Sequence, residues 1–376
     1  MGRLAAVLKE NPAIVNPSLG AGDAAHYYQA IHDHVDVFGL TMADLREPAH
    51  SPPFEIHTFG PPAHKPPIRC SPTHAQYMRD ECKLLEQHGL TMRGPTPWAS
   101  PCFLVPKPRS TKLRTVIDFR QLNMQTRRDS HPIPHTRDVL SKITQFDCYN
   151  KLDLMSGFWQ LAMEANSVQY TGVITTELLY MWLRLPFGVR NGPPAFQRAI
   201  TEAIHGHGLA AVVGAFIDDL ATGGRGHRHS AANCARMFAM LRGSNFKAGA
   251  SKVFLGQEEL PFLGYLLRKG ALSPDPDKVS AIERLLPPKT RSEVRAFLGL
   301  TGYYREFVYH YSHIARPLTQ LLKEDTAWAW SPPCEAAFTK LKQALTSEPI
   351  LALPDPHRPY YLSTDYSHVA VGAILE

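Results

Sequence analysis

The sequence is poor in cysteine, with six in 376 residues, at positions 70, 82, 102, 148, 234 and 334. None forms a CxxC pair and no His/Cys grouping has zinc spacing, which excludes the common structural zinc modules. Thiols scattered in this way fit a reducing compartment, where they serve as small apolar residues. Long hydrophobic runs are also missing. The longest, near residues 209–217, is too short to span a bilayer, and LAAVL near the start is too short for a secretory h-region. MGRLAA opens like a myristoylation signal, but Ala6 stands where Ser or Thr is required. These absences point to a soluble intracellular protein with no membrane partner. Neither sign of charge dominates: 40 Lys and Arg against 34 Asp and Glu leave +6, a mild basic excess that fits nucleic-acid binding without requiring it. There is no internal repeat and no low-complexity tract.

Proline is plentiful, at 32 residues, and it is crowded. SPPFEIHTFGPPAHKPPIRCSP reads as an extended, proline-punctuated arm that closes a weakly patterned stretch of about sixty residues. THAQYMRDECKLLEQHGL then has helical spacing, with Tyr77, Glu81, Leu84, Leu85 and His88 on one face and Gly89 as the stop. CFLV and LRTVIDF flank PKPRSTK, which predicts a β-hairpin with a basic tip. KLDLMSGFWQL predicts a strand broken at Ser156–Gly157. RLPFGVRNGPPAFQRAITEAI predicts strand, turn and helix, with Pro193 and Pro194 in the first helical turn and Phe196, Ile200 and Ile204 on the buried face. Helices dominate from about residue 275 onward, and two strand-like runs end the chain. The middle third alternates strands with helices, so the fold class is α+β, an antiparallel or mixed sheet with helices on one side.

Two carboxylates stand side by side in AFIDDL, at Asp218 and Asp219, where apolar neighbours place them at the edge of a core. Asp153, in KLDLMSG, has the same apolar frame. If the two strands are neighbours, Asp153 and Asp218 face one site, and their repulsion calls for a cation. Divalent metals with oxygen ligands meet that need. Two such ions form the clamp used for in-line displacement at phosphorus. Adjacent strand residues point to opposite faces, so Asp218 and Asp219 are expected to differ in role. Spacing alone leaves this metal site open beside ordinary turn chemistry, for which Asp is well suited.

AFIDDL also resembles the [YF]xDD box of reverse transcriptases, and KLDLMSGFWQL resembles the motif that carries their first catalytic Asp. LPFGVRNGPPAFQRAI is similar to the LPFG block of the gypsy class of LTR retrotransposons. TPWASPCFLVPKP, KLRTVIDFRQLN, FLGY, RSEVRAFLGLTGYYREFV and SEPILALPDPHRPYYLSTDYS follow in that class's order, over approximately residues 54 to 376. The resemblance implies a right-hand polymerase with fingers, a palm built on an RRM-like sheet and a helical thumb, followed by a truncated RNase H-like α/β segment. It divides the chain into an N-terminal extension (1–60), fingers and palm (61–270), thumb and connection helices (271–345) and the start of an RNase H-like domain (346–376).

The resemblance also implies roles. Asp153, Asp218 and Asp219 hold two Mg2+ or Mn2+ ions. Lys107 and Arg114 hold the incoming triphosphate, a task that a hairpin with a cationic tip suits. Phe158 is the aromatic gate under the sugar, and Phe187 and Gly188 line the nucleotide pocket. Lys252 protonates the pyrophosphate leaving group. Residues 262–265 grip the primer end, and the thumb carries Lys278, Arg284, Lys289, Arg291, Arg295 and Arg305. Read without the resemblance, Phe158 and Phe187 are ordinary core aromatics and these cations a solvated surface; Trp159 fits the core better than Phe158 does. Implied partners are an RNA template, a DNA primer/template duplex and dNTPs, in the cytoplasm, a particle or the nucleus; the oligomeric state is not legible. Phe216 replaces the commoner Tyr of the box and loses only a hydroxyl. Asp365 matches the first carboxylate of RNase H, but the further ligands that such chemistry needs do not follow, so this segment is expected to be inactive and its strands to lack sheet partners. The chain therefore reads as a piece of a polyprotein, or as a decayed copy that at most binds nucleic acid. An RNA-dependent RNA polymerase fits less well, given Phe158 and the LPFG and FLGLTGYY blocks.

Overall fold

The computed structural model describes residues 2–106, 113–269, 271–347, 351–352, 362–366 and 371–375. The chain forms two compact units, Met1–Leu263 and Gly264–Glu376.

The first unit is built on a five-stranded sheet in the order Phe38–Gly39, Ala248–Gln257, Cys148–Leu154, Asp219–Gly224, Val213–Phe216. Cys148–Leu154 is the central strand. Five of its seven residues are buried, as expected for a strand covered on both faces. Helices Ala21–Asp33, Thr136–Thr144, Gly192–Gly206 and His227–Gly243 pack against this sheet. Gly192–Gly206 starts as its prolines require and buries Phe196, Ile200 and Ile204. A second five-stranded sheet runs Thr91–Arg93, Leu179–Trp182, Val173–Ile174, Ser100–Pro106, Leu113–Ile117. Its last two strands form the expected hairpin, with Cys102 opposite Ile117 and Val105 opposite Arg114.

Two expectations need correction. Helix Pro72–Gln87 is capped by Ser71, whose hydroxyl accepts from the His74 N–H at 3.3 Å, and it ends before Gly89 at φ +69°. Its buried face, however, is Met78, Cys82 and Leu85, while Tyr77 and Leu84 remain 39% and 42% exposed. The sulfur-bearing residues pack as apolar ones and rotate the helix by about one position. Residues 1–60 are also no mere extension. Helices Arg3–Glu10 and Ala21–Asp33 bury Val7, Tyr27 and Ile31 in the same core as the central strands. Phe38–Gly39 pairs in parallel with Ala248–Gly249 and closes the sheet edge.

In the second unit, Tyr265–Arg268 pairs antiparallel with Ala271–Pro274, and Leu351–Ala352 adds to Ala271–Leu272. Helices Pro276–Glu283 and Arg291–Tyr303 are capped by Asp275 and Thr290, whose side chains accept from Asp277 and Glu293 amides. Phe297 packs on Phe338 of helix Pro332–Thr346 at 4.7 Å between ring centroids. Strands Leu362–Tyr366 and Val371–Leu375, expected to lack partners, pair with each other, placing Asp365 opposite Gly372.

Candidate active site

Asp153 sits one residue from the end of the central strand, directly opposite Asp219 on the neighbouring strand. Asp219 in turn opposes Phe216 across a hairpin whose two turn residues are Ile217 and Asp218. The register therefore brings Asp153, Asp218 and Asp219 to one end of the sheet. The difference in role expected for Asp218 and Asp219 has a structural counterpart, since one lies in the turn and the other on the strand.

The turn is strained. Ile217 is β-branched and stands at φ +55°, a region such residues rarely enter. Its N–H donates to Gln197 Oε1 at 2.8 Å. Gln197 is buried on helix Gly192–Gly206 and is fixed by Thr201 Oγ1 at 3.1 Å and by the Ala215 carbonyl at 3.4 Å. The Leu154 N–H donates to the Asp218 carbonyl at 2.8 Å, tying the turn to the Asp153 strand. Gly157 passes so close that a Cβ there would lie 3.0 Å from Asp218 Cβ and 3.2 Å from the Phe196 ring. Glycine thus suits the close approach, which a Cβ would crowd.

Two lysines answer the charge. Lys252 Nζ donates to Asp153 Oδ2 at 3.0 Å, and Lys151 Nζ lies 3.6 Å from Asp219 Oδ1 and 5.7 Å from the centroid of the Phe262 ring. Burial pushes the Asp218 carboxyl above the ordinary range, and Asp153 and Asp219 push it further. Burial raises Asp219 as well, against the pull of Lys151. Among the described residues, no three His, Cys, Asp or Glu side chains close into a ready-made metal cage. The donor set itself is carboxylate oxygen crowded by like charge, which suits a hard divalent cation and not zinc or copper.

Phe158 lies in the one-turn helix Gly157–Gln160, with its ring 5.1 Å from Phe187 and 5.6 Å from Phe196. Trp159 packs on Trp182 at 5.4 Å, as a core aromatic does. Phe187 is 48% exposed and so is not a core residue. Gly188 takes φ +94°, and its carbonyl accepts from Asn123 Nδ2 at 2.9 Å. Arg114 is exposed on its hairpin strand, and Lys107 lies outside the described residues. Asp365 lies on strand Leu362–Tyr366 of the second unit.

Sequence reasoning missed Gln197, Asn123, Lys151 and Gln160. The first two and Gln160 lie inside the blocks PAFQRAI, DFRQLN and GFWQL that carry the resemblance, but as polar residues beside apolar ones they have no periodicity that marks a buried role. Lys151 was within reach, because it stands two residues before Asp153 and so on the same strand face. A cavity of about 470 Å3, lined by Arg127, Arg128, Arg198 and others, has none of the three carboxylates in its wall.

Residues 105–267 match the family described as "Reverse transcriptase (RNA-dependent DNA polymerase)". Residues 330–376 match the "RNase H-like domain found in reverse transcriptase". The chain is 33% identical over 327 residues to the retrovirus-related Pol polyprotein from transposon 297 of Drosophila melanogaster, covering 85% of this chain and 30% of the relative. It is 34% identical over 306 residues to that from transposon opus of the same organism, covering 77% of this chain and again 30% of the relative. The chain thus spans about a third of the length of these relatives. Among solved structures, a foamy viral protease-reverse transcriptase in complex with double-stranded DNA matches with TM-score 0.85 and 19% identity, over 95% of this chain and 63% of that one. The same viral protein in complex with an RNA/DNA hybrid matches with TM-score 0.82 and 19% identity, over 95% and 48% of the two chains. The fold is therefore α+β with the right-hand architecture of these polymerases, and the chain belongs to the reverse transcriptase family of gypsy-like LTR-retrotransposon Pol polyproteins.

Proposed function

We propose that this chain is an RNA-directed DNA polymerase that adds dNTPs to a primer 3′-end by displacement at phosphorus. The observation that carries the reading is the register that sets Asp153 against Asp219, with Asp218 in the adjoining turn. Two Mg2+ or Mn2+ ions held by these carboxylates would supply the charge that steadies the attacking and leaving oxygens.

The chain's own residues do the rest. Lys252, already beside Asp153, supplies a proton to the departing pyrophosphate. Lys107 and Arg114 hold the triphosphate from the fingers hairpin. The Phe158 ring excludes a ribose 2′-hydroxyl, and Phe187 and Gly188 floor the nucleotide. The template is RNA and the product duplex lies along the cationic thumb, in keeping with the double-stranded DNA and RNA/DNA hybrid named for the structural neighbours. Residues 330–376 taken alone cut no RNA strand, since Asp365 is the single carboxylate that matches that chemistry and hydrolysis between two metals needs several. The protein works inside the cell, in the cytoplasm, a particle or the nucleus.

Primer extension on poly(rA)/oligo(dT) with magnesium or manganese tests the reading. Wild-type protein is expected to extend the primer, and Asp218→Asn to abolish extension without loss of fold. Phe158→Ala is expected to admit ribonucleotides. Folded wild-type protein that extends nothing would leave a silent nucleic-acid binder in its place.

A further inference from the structure

Gln160 is a buried amide with every hydrogen of its amide group in use. Its Nε2 donates to the Met155 carbonyl at 2.8 Å and to the Lys247 carbonyl at 2.9 Å. Its Oε1 accepts from the Lys247 N–H at 2.7 Å. An N–H can only donate, so the oxygen must face Lys247 N and the amide has one orientation. Gln160 is 2% exposed, so none of these bonds has water as a substitute.

The segment these bonds enclose is the turn that carries Phe158. It starts at Met155, whose N–H donates to the Lys247 carbonyl at 2.9 Å, one rung beyond the Leu154–Ala248 pair of the central ladder. It then passes through Ser156 at φ +47°, and a single helical turn follows, with Trp159 N–H donating to Ser156 O and Leu161 N–H to Phe158 O. It ends at Gln160, whose side chain returns to Lys247. Both ends of the turn are thus fastened to Lys247, the residue just before strand Ala248–Gln257. The backbone carbonyl of Gln160 also accepts from the Ala49 N–H at 2.7 Å. The Phe158 ring packs on Phe187 and Phe196, contacts that are less directional than hydrogen bonds. Beside the main-chain bonds of Met155 and Ala49, the directional side-chain bonds that hold the turn are those of Gln160.

We propose that Gln160 is a positioning residue for sugar selection, which holds the Phe158 turn against Lys247 and so sets the clearance beneath the nucleotide sugar. This inference rests on the polymerase reading and on Phe158 as its gate. Loss of the clamp lets the turn lift, and the gate then excludes the 2′-hydroxyl less well.

The test is kcat/KM for dTTP against UTP on poly(rA)/oligo(dT), for wild type, Gln160→Leu, Gln160→Glu, Phe158→Ala and the double variants, with thermal unfolding followed in parallel. Gln160→Glu keeps the volume and the acceptor for Lys247 N–H but loses both donors. Both Gln160 variants are expected to lower the dTTP/UTP preference about tenfold, carried by KM more than by kcat, as small misplacements at a reacting site do. In the Phe158→Ala background the Gln160 effect is expected to vanish, because residues acting through one another are not additive. Wild-type preference in a folded Gln160 variant would overturn the inference. So would an undiminished effect without the Phe158 ring, or the absence of folded protein from both variants, which would make Gln160 a folding residue only. Wild-type protein without extension overturns the polymerase reading instead, and Phe158→Ala with wild-type preference overturns the gate; each takes this inference with it.

Discussion

Asp218 stands in a turn that stores strain at Ile217, and it shares its surroundings with two more carboxylates. Backbone strain of this kind clusters at functional sites, which supports the role proposed for Asp218. The sign follows from its raised pKa. Folded Asp218 holds its proton more tightly than the unfolded chain does, so ionisation costs stability as pH rises through the folded value. Asp218→Asn removes that cost. Without divalent metal, the variant is expected to melt a few degrees above wild type at neutral pH, and the gap to close below the ordinary carboxylate pKa of about 3.9. Added magnesium should raise the melting temperature of wild type and not of the variant, because a ligand stabilises the state that binds it. Calorimetry with and without metal decides this, and equal melting temperatures at neutral pH would show that the carboxylate carries no such cost.

At the scale of elements, the hairpin at Ile217 depends on a helix. Gln197 provides the acceptor for the Ile217 N–H, from a side chain otherwise held by Thr201 and Ala215. Gln197→Leu leaves that N–H without its partner in a strained turn. Urea unfolding is expected to register a loss of about 1–3 kcal/mol, typical of an unmet buried donor. Primer extension should fall by more than the lost stability explains, because Asp218 and Asp219 move with the turn. The helix itself was legible in the sequence: its prolines and the spacing of Phe196, Ile200 and Ile204 mark both its start and its buried face. Gln197 was not, since a polar residue beside an apolar stripe reads as solvent-facing. Helix Pro72–Gln87 failed in a related way. Its end was readable from Gly89, but its cap Ser71 lay in the stretch read as an extended arm, and its face turned on whether Met78 and Cys82 pack as core, which tertiary contacts decide.

Across the whole molecule, the carboxylate motifs and the middle strands were readable because strand period, turn chemistry and motif order agree there. The first fifty residues were not, because what they contribute is long-range. The strand Phe38–Gly39 is two residues long and has no period to detect. A Cβ at Gly39 would lie 2.5 Å from Met155 Sδ, a close approach to a residue more than a hundred positions away. Asn11 Nδ2 donates to the carbonyls of Ala250 and Val253 at 3.1 and 2.8 Å, and Asn16 N–H to that of Leu255 at 2.9 Å. The segment thus covers the edge of strand Ala248–Gln257, which also carries Lys252. Removal of residues 1–40 would uncover that edge and the core faces that Val7, Ile14, Val15, Tyr27, Ile31, Val37 and Phe38 fill. At about 1.5–3 kcal/mol for each buried side chain of this kind, the loss matches or exceeds a whole domain's margin of about 5–15 kcal/mol. The truncated chain is expected to aggregate, or to keep helical circular dichroism without a cooperative melt and without polymerase activity. Size-exclusion chromatography and calorimetry would read this directly. A truncated chain that keeps the wild-type oligomeric state and melts at the wild-type temperature would mean that the segment is an appendage, and that the edge of this five-stranded sheet closes by some other means.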